Sequence, residues 1–167
     1  ENLAALFPWM ILLFIPVVLV AHDYLYSWMR IDPHTDHLLH GKSGYLNIPG
    51  FWWRSAFYLL YFTLTALWMR KTSVAQDANG NPLLTLRMRK IGFIALPFFG
   101  LAITFSGIDW LMTLDYTWYS TMWGVYIFAG AAGSSMALLI LLITGLRNAG
   151  YLKDVVSIQH YHIMGKL

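Results

Sequence analysis

The chain has 167 residues, of which 58% are hydrophobic, 17% aromatic and only 11% charged, with a formal net charge of +3. A soluble domain of that composition lacks the polar surface to stay dispersed, and the cations sit between apolar runs instead of forming a basic face; an integral membrane protein is predicted, with lipid as its surroundings and no nucleic-acid partner. There are no cysteines, which excludes disulfides, cysteine-held iron–sulfur clusters and covalent attachment of c-type haem on this chain.

The predicted fold is all-α: a polytopic transmembrane helical bundle of four helices in a single domain, 1–167. The first helix covers about 3–29. Pro8 lies near its start, where a missing N–H is tolerated, and Pro16 lies inside it and is expected to kink it. His22 and Asp23 follow the uncharged stretch, then Tyr24, Tyr26 and Trp28 as an aromatic girdle at the interface. Residues 30–50 read as a polar loop with Arg30 and Lys42 balancing Asp32 and Asp36. His34, His37 and His40 recur there every third residue, a spacing open to metal binding or to a plainly solvated loop.

The second helix is placed at about 51–69, with Arg54 one turn in, its long side chain expected to reach the headgroups. A loop over 70–90 carries Arg70, Lys71, Arg87, Arg89 and Lys90 against one acid, Asp77, and Asp77–Pro82 is a turn signal within it. The third helix, about 91–112, contains Pro97, and the fourth covers about 122–146. No ionisable Asp, Glu, Lys, Arg or His lies from Ile91 to Ile108 or from Tyr116 to Leu146. Each run is long enough to cross a hydrocarbon layer of ~30 Å, and the short connection makes the two helices antiparallel neighbours. Near 163–167 a further helix begins, and with no initiator Met or leader pattern the sequence reads as an interior block of a longer protein. The basic excess of loops 70–90 and 147–162 predicts a cytoplasmic side for them and a periplasmic side for 30–50 and 113–121.

Scarce ionisable groups at the rims of apolar helices are the candidate functional residues. Asp109 and Asp115 flank the third–fourth hairpin among Trp110, Tyr116, Trp118 and Tyr119. An acid at the edge of the hydrocarbon must be hydrated, paired or protonated, so it reads either as a proton-exchanging or quinol-headgroup acid or as a helix-end anchor. His22 and Asp23 are read the same way, as a proton path or a polar anchor, and being about 100° apart on a helix they need not bind each other. His22 is the only histidine within the predicted spans, so bis-histidine haem is not expected on this chain. His160 and His162 have an i, i+2 spacing that suits a strand face better than a helix face, and read either as an interfacial cap on the next helix beside Lys166 or as inner-side candidates for proton entry. Small residues at Ala129–Ser135, with the small-xxx-small pairs Ala129/Gly133 and Gly130/Ser134, read first as a close helix-packing face and otherwise as a cavity for a lipidic ligand. No redox ligand set, nucleotide loop or nucleophile triad is present. The residues leave open a proton- or quinone-handling subunit of an energy-transducing complex, a structural scaffold subunit, and a segment of a secondary transporter.

Several stretches carry a family resemblance: Leu25-Tyr26-Ser27-Trp28; Lys42–Asn47 leading to Phe51 and Arg54; Gln76-Asp77; Asp109-Trp110-Leu111-Met112-Thr113-Leu114-Asp115; Trp118–Thr121; Gly124-Val125-Tyr126; Ala129-Gly130; and His160-Tyr161-His162 with Gly165-Lys166-Leu167. In order and spacing they resemble the NrfD/PsrC-like membrane proteins, in particular those of bacterial alternative complex III. Ile163-Met164 stand where the family often has Asp-Leu, and Tyr116-Thr117 where it often has Pro-His. The resemblance implies a non-catalytic, or at most co-catalytic, subunit of a quinol:cytochrome c oxidoreductase in the bacterial inner membrane. It implies a second NrfD-like subunit, an iron–sulfur subunit and multihaem cytochrome c subunits as partners. Quinol, haem c and the iron–sulfur clusters then belong to those partners, and this subunit translocates protons without a redox cofactor of its own. Asp109 with His22 or Asp23 serves the outer half of such a path, Asp115 stands beside it, and His160 and His162 serve the inner half.

Overall fold

The computed structural model describes residues 4–152 and 155–166, and among these every regular element is helical. The chain divides into two compact units, one ending at Gly124 and the other running from Val125. Among the described residues three helical stretches are long and apolar enough to cross a membrane: Phe7–Leu25, Pro82–Leu114 and Trp123–Asn148.

The first predicted helix is segmented. A 3-10 turn at Ala4–Leu6 leads into α1 (Phe7–Pro16); the backbone then widens to a π turn at Val17–Ala21, returns to α2 (His22–Leu25) and ends in a 3-10 turn at Ser27–Met29. Pro16 supplies the cause of the first break, since its ring has no N–H to give and crowds the carbonyl four residues back. Tyr26 makes the second, leaving the helical region at φ −103°, ψ 81°. The expected girdle also resolves differently. Tyr24 is exposed, but Tyr26 and Trp28 are buried and pack with Leu39, Leu46 and Phe51 in a small core under residues 30–50. Phe51 is its hub, with ring centroids 4.9 Å from Tyr26, 5.8 Å from Trp28 and 5.0 Å from Trp52.

Residues 30–50 are not all loop: they hold α3 (His37–Lys42), started by Asp36, whose carboxylate accepts from the amides of Leu38 and Leu39. α4 (Ile48–Asn79) begins at Asn47, which accepts from Gly50 N at 2.8 Å. A Cβ at position 50 would meet that Asn47 oxygen at 2.5 Å and push it off its capping position.

The largest correction is at 70–90. α4 runs on to Asn79 and α5 (Pro82–Trp110) starts at once, so the expected loop is the tip of a continuous helical hairpin. Only Gly80 and Asn81 interrupt it. Gly80 takes the left-handed conformation at φ 60°, Asn81 caps Leu83 N at 2.9 Å, and Pro82 sits where a helix start lacks a hydrogen bond anyway. The predicted turn is therefore present but two residues wide. A side-chain hydrogen bond from Gln76 to Thr85 and a bond from Tyr61 Oη to Ala95 O (2.8 Å) hold the arms together.

α5 gives way to a 3-10 turn at Met112–Leu114, and α6 (Trp123–Asn148) follows. Its first turn is fixed to α5: Trp123 Nε1 donates to Gly107 O at 3.0 Å, and Gly124 lies against the Thr104 side chain with no room for a Cβ. In the second unit, α6 exposes apolar side chains such as Leu138 and Leu141, an arrangement that suits lipid. α7 (Ile158–Lys166) begins slightly before the predicted start near 163.

Candidate functional site: a buried acid–arginine pair

Asp109 is the next-to-last residue of α5, and it is 0% exposed. The carbonyl end of a helix carries partial negative charge, so an acid there is not a cap and needs a cation. Arg54, in the second turn of α4, supplies it. Its Nε donates to Asp109 Oδ2 at 2.9 Å and its Nη2 to Oδ1 at 3.1 Å, a two-point fork onto the carboxylate. Tyr58, one turn further along α4, donates its hydroxyl to Oδ2 at 2.9 Å. Arg54 is thus turned inward to the pair instead of outward to headgroups.

The surrounding shell fixes both partners. Arg54 Nη2 also donates to Tyr45 O at 3.1 Å, and the guanidinium lies 4.0 Å from the centre of the Tyr45 ring. Thr113 Oγ1 donates to Asp109 O at 2.5 Å. Trp110 Nε1 donates to Ser55 Oγ at 3.0 Å, and Tyr26 Oη donates to Trp110 O at 3.2 Å. Three segments distant in sequence thereby converge on the end of α5. Tyr45 Oη is enclosed without a hydrogen-bond partner among the described residues. Burial first, and then the Asp109 charge, hold its phenol well above the ordinary range. Beside Tyr45 a cavity of about 330 Å³ opens between the 41–46 and 108–119 segments, lined by Lys42, Tyr45, Met112, Tyr116, Trp118 and Tyr119 among others.

The 30–50 segment and the 109–120 connection are joined directly. Tyr116 Oη donates to Asp36 Oδ2 at 2.6 Å, and Lys42 Nζ donates to Tyr116 O at 2.5 Å. The Tyr116 hydroxyl and the Leu39 amide hold the Asp36 carboxyl below the usual carboxylate range, and the same contact raises the Tyr116 phenol.

His22 Nε2 does meet Asp23 Oδ1, at 3.2 Å, despite their adjacency on the helix; its ring lies edge-on to Trp52 at 5.9 Å, and its Nδ1 is enclosed without a partner among the described residues. Asp115 is exposed and folds onto its own turn, accepting from Thr117 N (3.0 Å) and Thr117 Oγ1 (2.6 Å), contacts that lower its pKa. His160 and His162 lie on α7, not a strand, so their side chains point roughly 160° apart. His160 Nδ1 accepts from Ser157 N at 3.0 Å, the reach-back that a Glu or Gln makes in a capping box. Gly130, Gly133 and Ser134 are exposed on α6, and an added Cβ at either glycine would meet nothing within 4 Å. His34 and His40 face each other with ring centroids 5.7 Å apart, while among the described residues no three His, Asp or Glu side chains converge on a metal-sized site.

The described residues define a class: all-helical, with three helices long and apolar enough to cross a membrane and a buried ion pair that joins α4 to α5. No protein-family model matches the chain, and no curated protein matches it.

Proposed function

We propose that this chain is a membrane subunit of a bacterial quinol:cytochrome c oxidoreductase of the alternative complex III type, contributing proton translocation while partner subunits carry the redox groups. In this reading α4 is a fourth span over about 51–69. Residues 30–50 and 113–121 face the periplasm, and 70–90 and 147–162 face the cytoplasm. The small-residue face at Gly130, Gly133 and Ser134 is where another helix of the complex packs.

The observation that carries the reading is the enclosed Asp109 at the end of an uncharged run from Ile91 to Ile108. An ionisable group at membrane depth is rare, and it is most often retained for charge or proton movement. The Arg54 fork and the Tyr58 hydroxyl place proton-bearing groups directly on that carboxylate. His22 with Asp23, and the His160 and His162 side chains of α7, are the groups proposed to continue the path toward either surface.

One observation favours a second reading, that of a scaffold subunit. Both Asp109 oxygens are already engaged by donors, as expected of a fixed clamp between α4 and α5. The first test is isolation of the chain with its natural partners from membranes. Co-purification with c-type haem, iron–sulfur signals and quinol-dependent cytochrome c reduction supports the class. Solute uptake independent of quinol, without those redox signals, overturns it in favour of a transporter.

A further inference from the structure

The helical hairpin gathers five cations at one height. Gln76 bonds to Thr85, and Gly92 lies beside the Met69 side chain, so the two arms run in a register where residue numbers facing each other sum to 161. Lys71 is then level with Lys90, and Arg70 with Ile91. Arg87 and Arg89 lie within one turn of that level. At 1.5 Å of rise per residue, all five fall in a slab about 6 Å high. One headgroup layer has the same thickness, about 5–7 Å, by the difference between a bilayer's full width and its hydrocarbon core. The slab sits where the charge-free run Ile91–Ile108 begins, and that run spans about 27 Å along the helix to Asp109.

All five side chains are exposed, and none has an ion-pair partner among the described residues. Nor do they share one face. Arg89 is about 160° from Arg87 and about 100° from Lys90, and Lys71 is about 100° from Arg70. A folded acidic protein would engage one side of the hairpin. Cations spread around the hairpin at one depth match a sheet of phosphates surrounding it.

We propose that Arg70, Lys71, Arg87, Arg89 and Lys90 form a collar that selects anionic phospholipid headgroups at the end of the hairpin opposite the Arg54–Asp109 pair. The phosphates are held by exposed guanidinium and ammonium donors in an ordinary headgroup layer, so the selection is electrostatic and weakens with salt. This collar rests on the membrane reading alone and not on the redox assignment.

The test is native mass spectrometry of the full chain released from bilayer discs of equal phosphatidylglycerol and phosphatidylcholine. Retention of phosphatidylglycerol over phosphatidylcholine is expected, by about fivefold for each cation engaged at low salt. The variant carrying Arg70→Gln, Lys71→Gln, Arg87→Gln, Arg89→Gln and Lys90→Gln is expected to lose the preference. A second variant with Arg70→Lys, Arg87→Lys and Arg89→Lys keeps the charge and the preference. Changing Arg30 and Lys42 to Gln at the other end leaves it intact. Equal retention of the two lipids by the native chain, or an undiminished preference in the five-Gln variant with native helicity, overturns the proposal. So does a preference that only the Arg30 and Lys42 changes abolish.

Discussion

Removing Arg54 is expected to damage the fold more than neutralising Asp109, although the two residues form one ion pair. The asymmetry comes from burial. Asp109 is fully enclosed, whereas the Arg54 side chain keeps about a quarter of its surface exposed and has further partners in the Tyr45 carbonyl and ring. Arg54→Met strips two charge-assisted bonds from a carboxylate with no access to water and leaves it only the Tyr58 hydroxyl. The expected loss is about 3–5 kcal/mol, the usual cost of orphaning one member of a buried pair. Asp109→Asn retains an oxygen for Arg54 or Tyr58 and leaves the cation partly hydrated, with a loss of about 1–2 kcal/mol. Arg54→Met with Asp109→Leu removes both charges and is expected to recover most of the single-variant loss, because nothing charged remains buried. The assay is loss of helicity by circular dichroism as mixed micelles are titrated with sodium dodecyl sulfate, with Trp emission as a second probe. Asp109→Asn being the more destabilising, or a double variant as unstable as the sum of its singles, would refute the reasoning.

Three further outcomes follow from local geometry. Gly124→Ala drives a methyl into Thr104 and is expected to cost about 1–3 kcal/mol; Thr104→Ala in the same chain relieves it, as the same titration will report. His160→Ala removes the acceptor of the Ser157 amide and is expected to fray the start of α7, losing about 1 kcal/mol, read as faster amide exchange at Ser157. The Asp36–Tyr116 contact has a defined pH window. Because the Asp36 carboxyl is lowered in the fold, its contribution is complete above the free carboxylate value of about 3.9 and is lost as pH falls through the lower folded value. The Leu38 and Leu39 amide signals should therefore shift at acid pH in the native chain and stay flat in Asp36→Asn.

Much of the helix pattern was legible because charge-free runs are a one-dimensional signal. Ile91–Ile108 and Tyr116–Leu146 announce their helices without any knowledge of contacts. Charge was the misleading cue at 70–90. Arg70, Lys71 and Asp77 suggested a loop, yet nothing in that stretch breaks a helix before Gly80, and helices continue into water readily. That misreading concealed the site. With a two-residue turn at Gly80-Asn81, the hairpin register puts Arg54 level with Gly107, within a turn of Asp109. The pairing was available from turn chemistry and arithmetic. The Tyr26–Trp28–Phe51 core was not, since burial of an interfacial aromatic depends on how the 30–50 segment folds back. The same holds for Asp36, whose capping role was visible in sequence but whose bond to Tyr116 spans eighty residues.

The most direct measurement is proton release per electron in the proposed complex carrying Asp109→Asn, with assembly and retained redox groups checked in the same preparation. If Asp109 lies on the proton path, fewer protons appear per electron from a fully assembled complex. An unchanged stoichiometry in an assembled complex contradicts the path and leaves Arg54 and Asp109 as a clamp between two helices.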